Sequence, residues 1–430
     1  VHRACGLPEL QLDTSYTHLM LEDKVRGIIA RRDLESAHVG IFLQADASNP
    51  DSVLLAEHAD RYYIPASNMK IPTAAGSFLE LGEHFSYCTQ INADGPGAAA
   101  SAIWVKGAGD PSLTSADLRK LAQQARASGL RGPVSLSVDG SSFEGAGIDP
   151  TWMAEDLDCS YGAPSSTLTL DDNLEELHIT ASGAPGEKLS FKWGAPRGAA
   201  PAPEAPYSPV PLGRTARSGV PASTPPVAAA PSTPATTPGG SANVGTPHQV
   251  EDAASWQMGV VVEGTVGAEG TEPTVDVVYS RVHGRYTVTG TLPPGAEETF
   301  PLPVLQPDRR LLARLVGALR AEGVRIRYAA LSPPPKVIAV HTLAEHRSLP
   351  LPALLEAMLH HSNNLYAENL LHTLGARARA AARPAPVFGR TPAAPAAPGD
   401  TAEAGARAIQ AALSKVGAGK GIKQYDGSGL

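Results

Sequence analysis

Residues 62–75 read Tyr-Tyr-Ile-Pro-Ala-Ser-Asn-Met-Lys-Ile-Pro-Thr-Ala-Ala, and the reading of this stretch decides the fold. Pro65 ends an extended segment, and the run from Ser67 to Leu81 reads as a helix. Ser67 and Lys70 stand three residues apart, nearly one turn, so their side chains share a face. The partial positive charge at a helix start disfavours the ammonium form of Lys70 and favours a developing alkoxide on Ser67. A lysine ordinarily titrates near ~10.4, and needs such help plus burial to act as a base at neutral pH. With 32 serines and 10 lysines in 430 residues, chance alone suffices to supply one such pair. The spacing therefore needs company.

That company is His360-His361-Ser362-Asn363-Asn364, which breaks a helix expected at Leu351–His360 before another at Asn364–Leu374. A helix would splay Ser362 and Asn364, whereas a turn can aim both at one cleft. The Ser362 hydroxyl can relay a proton, and the Asn364 amide can bind a peptide carbonyl. Helix capping by Ser362 or Asn363 is the competing account. Ser241-Ala242-Asn243 repeats the spacing, but within a proline-rich stretch that offers no scaffold.

Outward from these motifs the pattern is mixed. Leu19–Arg31, Ser115–Ala127 and Pro307–Glu322 read as helices. Residues 38–45 and 52–58 read as a hairpin; 101–107, 133–140, 174–180, 256–264, 274–280 and 285–292 read as strands. Helices flank the two ends and strands dominate the middle, which suggests an α/β unit interrupted by a mainly β insertion. Residues 196–247 carry 13 of the 39 prolines and one aromatic, and read as a disordered or partly polyproline spacer. Residues 376–401 form a second such patch.

Composition narrows the function. The net charge is −8 with no basic block, which argues against nucleic acid as a partner. No apolar run approaches the ~18 residues a membrane span needs. Cys5, Cys88 and Cys159 form no CxxC, so zinc-ribbon and thioredoxin readings fail, and an odd count leaves a free thiol. GxSxG, GxxxxGK[ST] and HExxH are absent. His360 and His361 point to different helix faces, so no metal and no cofactor are expected. Gly107–Ser112 (GAGDPS) lacks a third glycine and reads as a tight turn.

The order of SxxK at a helix start, a long insertion and then SxN resembles the penicillin-binding protein and serine β-lactamase superfamily. More narrowly, residues 62–75, VKGAGDPSLT, YGAPSSTLTLDDN, HHSNNLYAENLL and DGSGL resemble, in order, the D-alanyl-D-alanine carboxypeptidase/endopeptidase branch of low-molecular-mass penicillin-binding proteins. The resemblance implies an α/β (α+β) fold: a transpeptidase-like catalytic domain, helices packed on an antiparallel sheet, interrupted by a largely β insertion of one or two domains. The expected segments are 1–88 and 300–430 for the catalytic domain, 89–172 for the first inserted part and 173–299 for a nested β-rich part. It further implies an acyl-enzyme peptidase on peptidoglycan peptides, with β-lactams as covalent inhibitors. Ser67 would be the nucleophile, Lys70 its base, Ser362 the proton relay to the leaving amine and Asn364 the holder of the substrate amide. Asp171 would face an ammonium on the substrate side chain.

The family's third motif, Lys-Thr-Gly after DGSGL, does not occur, so a C-terminally incomplete chain with little D-alanine release is expected. The opening VHRACGLPEL shows neither an initiator Met nor a signal, implying a processed or partial chain. The resemblance implies an exported, periplasmic or extracytoplasmic location, or a plastid in an alga. A β-lactamase or esterase of the superfamily and a non-catalytic binder of cell-wall peptides are the alternatives.

Overall fold

The chain divides into two units, residues 1–65 and 66–430. The computed structural model describes residues 14–34, 36–46, 48–145, 147–194, 257–382, 400–418 and 421–430. The spacer expected at 196–247, most of the patch at 376–401, and Cys5 lie outside the described residues.

In the first unit, α1 (Thr14–Ile29) precedes an antiparallel hairpin of β1 (Ile41–Gln44) and β2 (Val53–Glu57), with Phe42 opposite Ala56. Its turn is fixed locally: Asp46 Oδ1 accepts from the Ser48 amide at 2.9 Å, and Asn49 Oδ1 from the Asp51 amide at 3.0 Å.

The second unit has three kinds of core. The first is a five-stranded sheet of β3 (Cys88–Ala93), β4 (Ala102–Lys106), β5 (Val134–Asp139), β14 (Ile326–Leu331) and β15 (His341–Arg347), in the order β14-β5-β4-β3-β15. β14, β5 and β4 run parallel, while β3 and β15 pair antiparallel. β5 reads Val-Ser-Leu-Ser-Val-Asp, an alternation that turns one face to the core, and Val134, Leu136 and Val138 on that face are fully buried. Against them pack α3 (Ser115–Ala127), through Leu118, Leu121, Ala122 and Ala125, and α4 (Pro307–Ala321), through Leu311, Leu315 and Leu319. Those positions recur at helical spacing. Thr114 and Asp117 form a capping box that starts α3.

The packing corrects the boundary expected at residue 300. α4, β14 and β15 share one hydrophobic cluster with β3–β5, so a cut at 300 would divide a core; the change in packing partners falls between Arg347 and Leu351.

The second core is all β, built from β6 (Leu174–Thr180), β7 (Ser190–Trp193), β8 (Gly259–Val262), β9 (Thr265–Val266), β10 (Asp276–Ser280), β11 (Arg285–Thr289), β12 (Thr291–Leu292) and β13 (Glu297–Pro303). The sheets β13-β6-β7 and β10-β11-β8 and the ribbon β12-β9 share a cluster centred on Leu177, Ile179, Tyr286, Val288 and Leu292.

The third core is helical: α2 (Lys70–Leu81), α5 (Leu351–His360), α6 (Asn364–Ala382) and α7 (Thr401–Lys415). α6 extends past the expected end at Leu374 because its Ala- and Arg-rich continuation favours helix; residues 376–382 are therefore helix, not spacer. α6 and α7 approach closely at two glycines. A Cβ on Gly375 would stand 1.8 Å from the Thr401 carbonyl oxygen, and one on Gly405 2.0 Å from that of Leu371. No helix among the described residues is long and apolar enough to cross a membrane.

Candidate active site

The site forms where three pieces of the helical core meet: the entry to α2, the turn between α5 and α6, and the segment Asp426–Leu430. Ala66–Met69 make a tight helical turn that runs into α2. Ala66 has φ +46°, a left-handed conformation costly for a residue with a Cβ, and it lifts the exposed Ser67 out of the turn. Ser362 (φ +50°) reverses the chain between α5 and α6, so Asn364 begins α6 facing α2.

These bends bring together groups about 295 residues apart. Ser362 Oγ lies 3.0 Å from Ser67 Oγ. Lys70 Nζ lies 3.1 Å from Ser67 Oγ, 2.6 Å from Asn364 Oδ1 and 3.2 Å from the Ser428 carbonyl oxygen. Asn364 Nδ2 donates to the Tyr161 carbonyl at 3.0 Å, which ties the inserted region to the site.

Lys70 is 1% exposed, and burial holds its amine below the ordinary lysine value, against the upward pull of Glu368 and Asp426. As a free amine, Lys70 has two N–H donors and one lone pair. Asn364 Oδ1 and the Ser428 carbonyl take the two donors, which leaves the lone pair for the Ser67 hydroxyl proton. The geometry suits proton abstraction from Ser67.

The segment Asp426–Leu430 fits beneath the site because glycine lets it approach. A Cβ on Gly429 (φ +77°) would stand 1.9 Å from the Ala66 carbonyl oxygen, and one on Gly427 2.4 Å from that of Ala367. The Gly427 amide donates to both Glu368 oxygens at 3.0 Å, and the Ser428 amide to Oε1 at 2.8 Å. Asp426 accepts from the Trp152 indole at 3.0 Å and from the amides of Gly429 and Leu430 at 2.9 and 3.0 Å. Burial first, and Asp426 second, push the Glu368 carboxyl up to about 8.

A serine, a buried lysine, a second serine and an asparagine on this helical scaffold can now be set beside known proteins. The family model for the D-Ala-D-Ala carboxypeptidase 3 (S13) family matches residues 21–203 and 220–430. The chain belongs to that family. Among curated relatives, the D-alanyl-D-alanine carboxypeptidase of Actinomadura sp. (strain R39) is 30% identical over 188 residues, 41% of this chain and 34% of the relative. Penicillin-sensitive carboxypeptidase A of Dictyostelium discoideum is 32% identical over 148 residues, 30% of this chain and 28% of the relative. These matches span about a third of the relatives' length. Penicillin binding protein 4 (dacB) from Haemophilus influenzae superposes with a TM-score of 0.59 at 22% identity, covering 88% of this chain and 68% of that structure, and so shares the fold.

Within this S13 chain one sequence expectation is corrected. Asp171 does not face the cleft. Its side chain is fully buried, accepts from the Ser115 amide at 2.8 Å and the Ser115 hydroxyl at 2.6 Å, and pairs with Arg310 at 3.1 Å. Asp171, Asp172 and Asn173 are three successive left-handed residues, and that twist sends Asp172 outward instead, where its carboxylate accepts from Asn363 Nδ2 at 3.2 Å. Glu368 and Asp426 went unnoticed in the sequence. The available signal was the spacing of Asn364 and Glu368, four apart on one face of α6.

Proposed function

We propose that this chain is part of a serine-type D-Ala-D-Ala carboxypeptidase/endopeptidase that acts on peptidoglycan peptides through an acyl-enzyme. The observation that carries the reading is the hydrogen-bonded line from Ser362 through Ser67 to the buried Lys70. Lys70 takes the Ser67 proton as Oγ attacks the carbonyl carbon of the penultimate D-alanine. The C–N bond breaks as Ser362 hands its hydroxyl proton to the departing D-alanine amine and takes up in its place the proton that Lys70 removed from Ser67. Asn364, its Oδ1 held by Lys70, presents its amide group to the substrate backbone. Water then hydrolyses the ester. β-Lactams enter the same reaction as covalent inhibitors, and a wall-peptide substrate places the reaction outside the cytoplasm.

Labelling with a fluorescent penicillin tests this reading. The wild type should be labelled, Ser67→Ala should not, and Lys70→Ala should fold but acylate about 10²–10⁴-fold more slowly. Equal labelling of wild type and Ser67→Ala would remove Ser67 as nucleophile.

A further inference from the structure

Beneath Lys70 lies a buried acidic pair that the catalytic scheme does not use. Glu368, 3% exposed, projects from α6 one turn beyond Asn364; Asp426, 5% exposed, belongs to the segment that closes the site from below. Two charged groups act on Lys70, one from each element, and both favour its ammonium form. The two acids are bound differently. Asp426 accepts from Trp152, from the amides of Gly429 and Leu430, and from the Ser428 hydroxyl at 3.3 Å. Glu368 grips the Gly427 and Ser428 amides, and Ser428 is the residue whose carbonyl accepts from Lys70 Nζ. Its carboxylate therefore reaches the amine in two ways, through the clamped backbone and through its charge.

We propose, resting on the functional reading above, that Glu368 is a positioning residue for Lys70: it fixes the Ser428 carbonyl against the amine, and its charge governs when Lys70 is free to take the Ser67 proton. A carboxylate near an ammonium favours the ammonium form. Where Glu368 is ionised, above its own value of about 8, removing that charge makes Lys70 a free amine at lower pH, while loosening the carbonyl that orients it. The two consequences oppose one another, which separates this role from simple support of the fold.

The variants are Glu368→Gln, which removes the charge at constant size, and Glu368→Asp, which keeps the charge on a shorter stem. In Glu368→Gln the acid limb of penicillin acylation should move down by about one pH unit or more, with a lower plateau rate. In Glu368→Asp the limb should stay near that of the wild type while the plateau falls. A rate loss with an unmoved limb in Glu368→Gln overturns the proposal, as does an unchanged rate and profile. A second measurement stands apart from catalysis: NMR titration of lysine labelled with ¹³C at Cε, the Lys70 signal assigned by its disappearance in Lys70→Met. The Lys70 midpoint should drop in Glu368→Gln. An equal midpoint in both proteins overturns the inference even if labelling succeeds, and a dropped midpoint sustains it even if penicillin never labels Ser67. If Glu368→Gln does not fold, the Glu368→Asp titration decides: a Lys70 midpoint well below the wild type in that variant, whose charge is retained, overturns the proposal.

Discussion

Arg310→Leu should destabilise the inserted region by about 3–5 kcal/mol, the usual loss when one partner of a buried ion pair is removed. Arg310 is fully buried on α4, and its guanidinium donates to Asp171 Oδ2 at 3.1 Å, Glu175 Oε1 at 2.6 Å and the Leu174 carbonyl at 2.9 Å, as well as to the Leu170 carbonyl. The substitution leaves two carboxylates in the interior, with side-chain exposures of 0% and 6%. Glu175 keeps Arg314 at 2.7 Å, whereas among the described residues Asp171 keeps the uncharged Ser115, so Asp171 dominates the loss. The assay is urea unfolding followed by tryptophan fluorescence, supported by melting, where a fall on the order of 10 °C is expected. A double-mutant cycle sharpens it. Arg310→Leu combined with Asp171→Asn should lose less than the sum of the single variants, because no bare charge remains at Asp171. A loss below about 1 kcal/mol for Arg310→Leu, or strict additivity in the cycle, would refute the assignment of Asp171 to the fold.

His372 gives a pH dependence. Burial holds its imidazole at about 4, down from 6.5, so between those values the unfolded chain binds a proton that the native state does not, and stability is lost as pH falls through that window. The difference in unfolding free energy between wild type and His372→Gln should change by about 3 kcal/mol between pH 7 and pH 4; parallel stability–pH curves for the two would contradict the buried neutral imidazole. Gly429→Ala places a Cβ 1.9 Å from the Ala66 carbonyl oxygen at φ +77°. It should cost roughly 1–3 kcal/mol and slow penicillin labelling by shifting the turn that carries Ser67; normal melting together with normal labelling would show that the close approach is unimportant.

The elements legible in the sequence are those whose local signals and tertiary use agree. α3 runs Ser115–Ala127 as expected, with its capping box and a single apolar face, and α5 runs Leu351–His360. Among the strands that escaped notice, β13 and β15 lie where that agreement fails. β13 contains Pro301 and Pro303, which normally argue against a strand. It survives because it is an edge strand, bonded on one side to β6, so the missing amide hydrogens need no partner there. β15, His-Thr-Leu-Ala-Glu-His-Arg, is likewise an edge strand and mostly polar. It pairs with β3 across about 250 residues of chain, and no local pattern encodes that register.

The candidate site divides along the same physical line. Ser67, Lys70, Ser362 and Asn364 could be singled out because each pair lies within three residues, and a short spacing on a turn carries direction. Asp171 shows where that logic stops. One face of a β-strand is fixed by alternation, but three consecutive left-handed residues rotate successive side chains in a way composition does not announce, and the neighbouring carboxylate reaches the SNN turn instead. Glu368 and Asp426 illustrate the complementary limit. An acid on a helix or beside glycines is ordinarily solvated, and only the glycine-permitted approach of the 427–429 backbone to α6 and to Ala66 turns these two into buried neighbours of Lys70. The glycines of DGSGL bear no reactive group, yet their close approaches to Ala367 and Ala66 shape the surroundings of Lys70. By admitting the Ser428 carbonyl and two carboxylates beneath Lys70, they set both the direction and the charge environment of its amine.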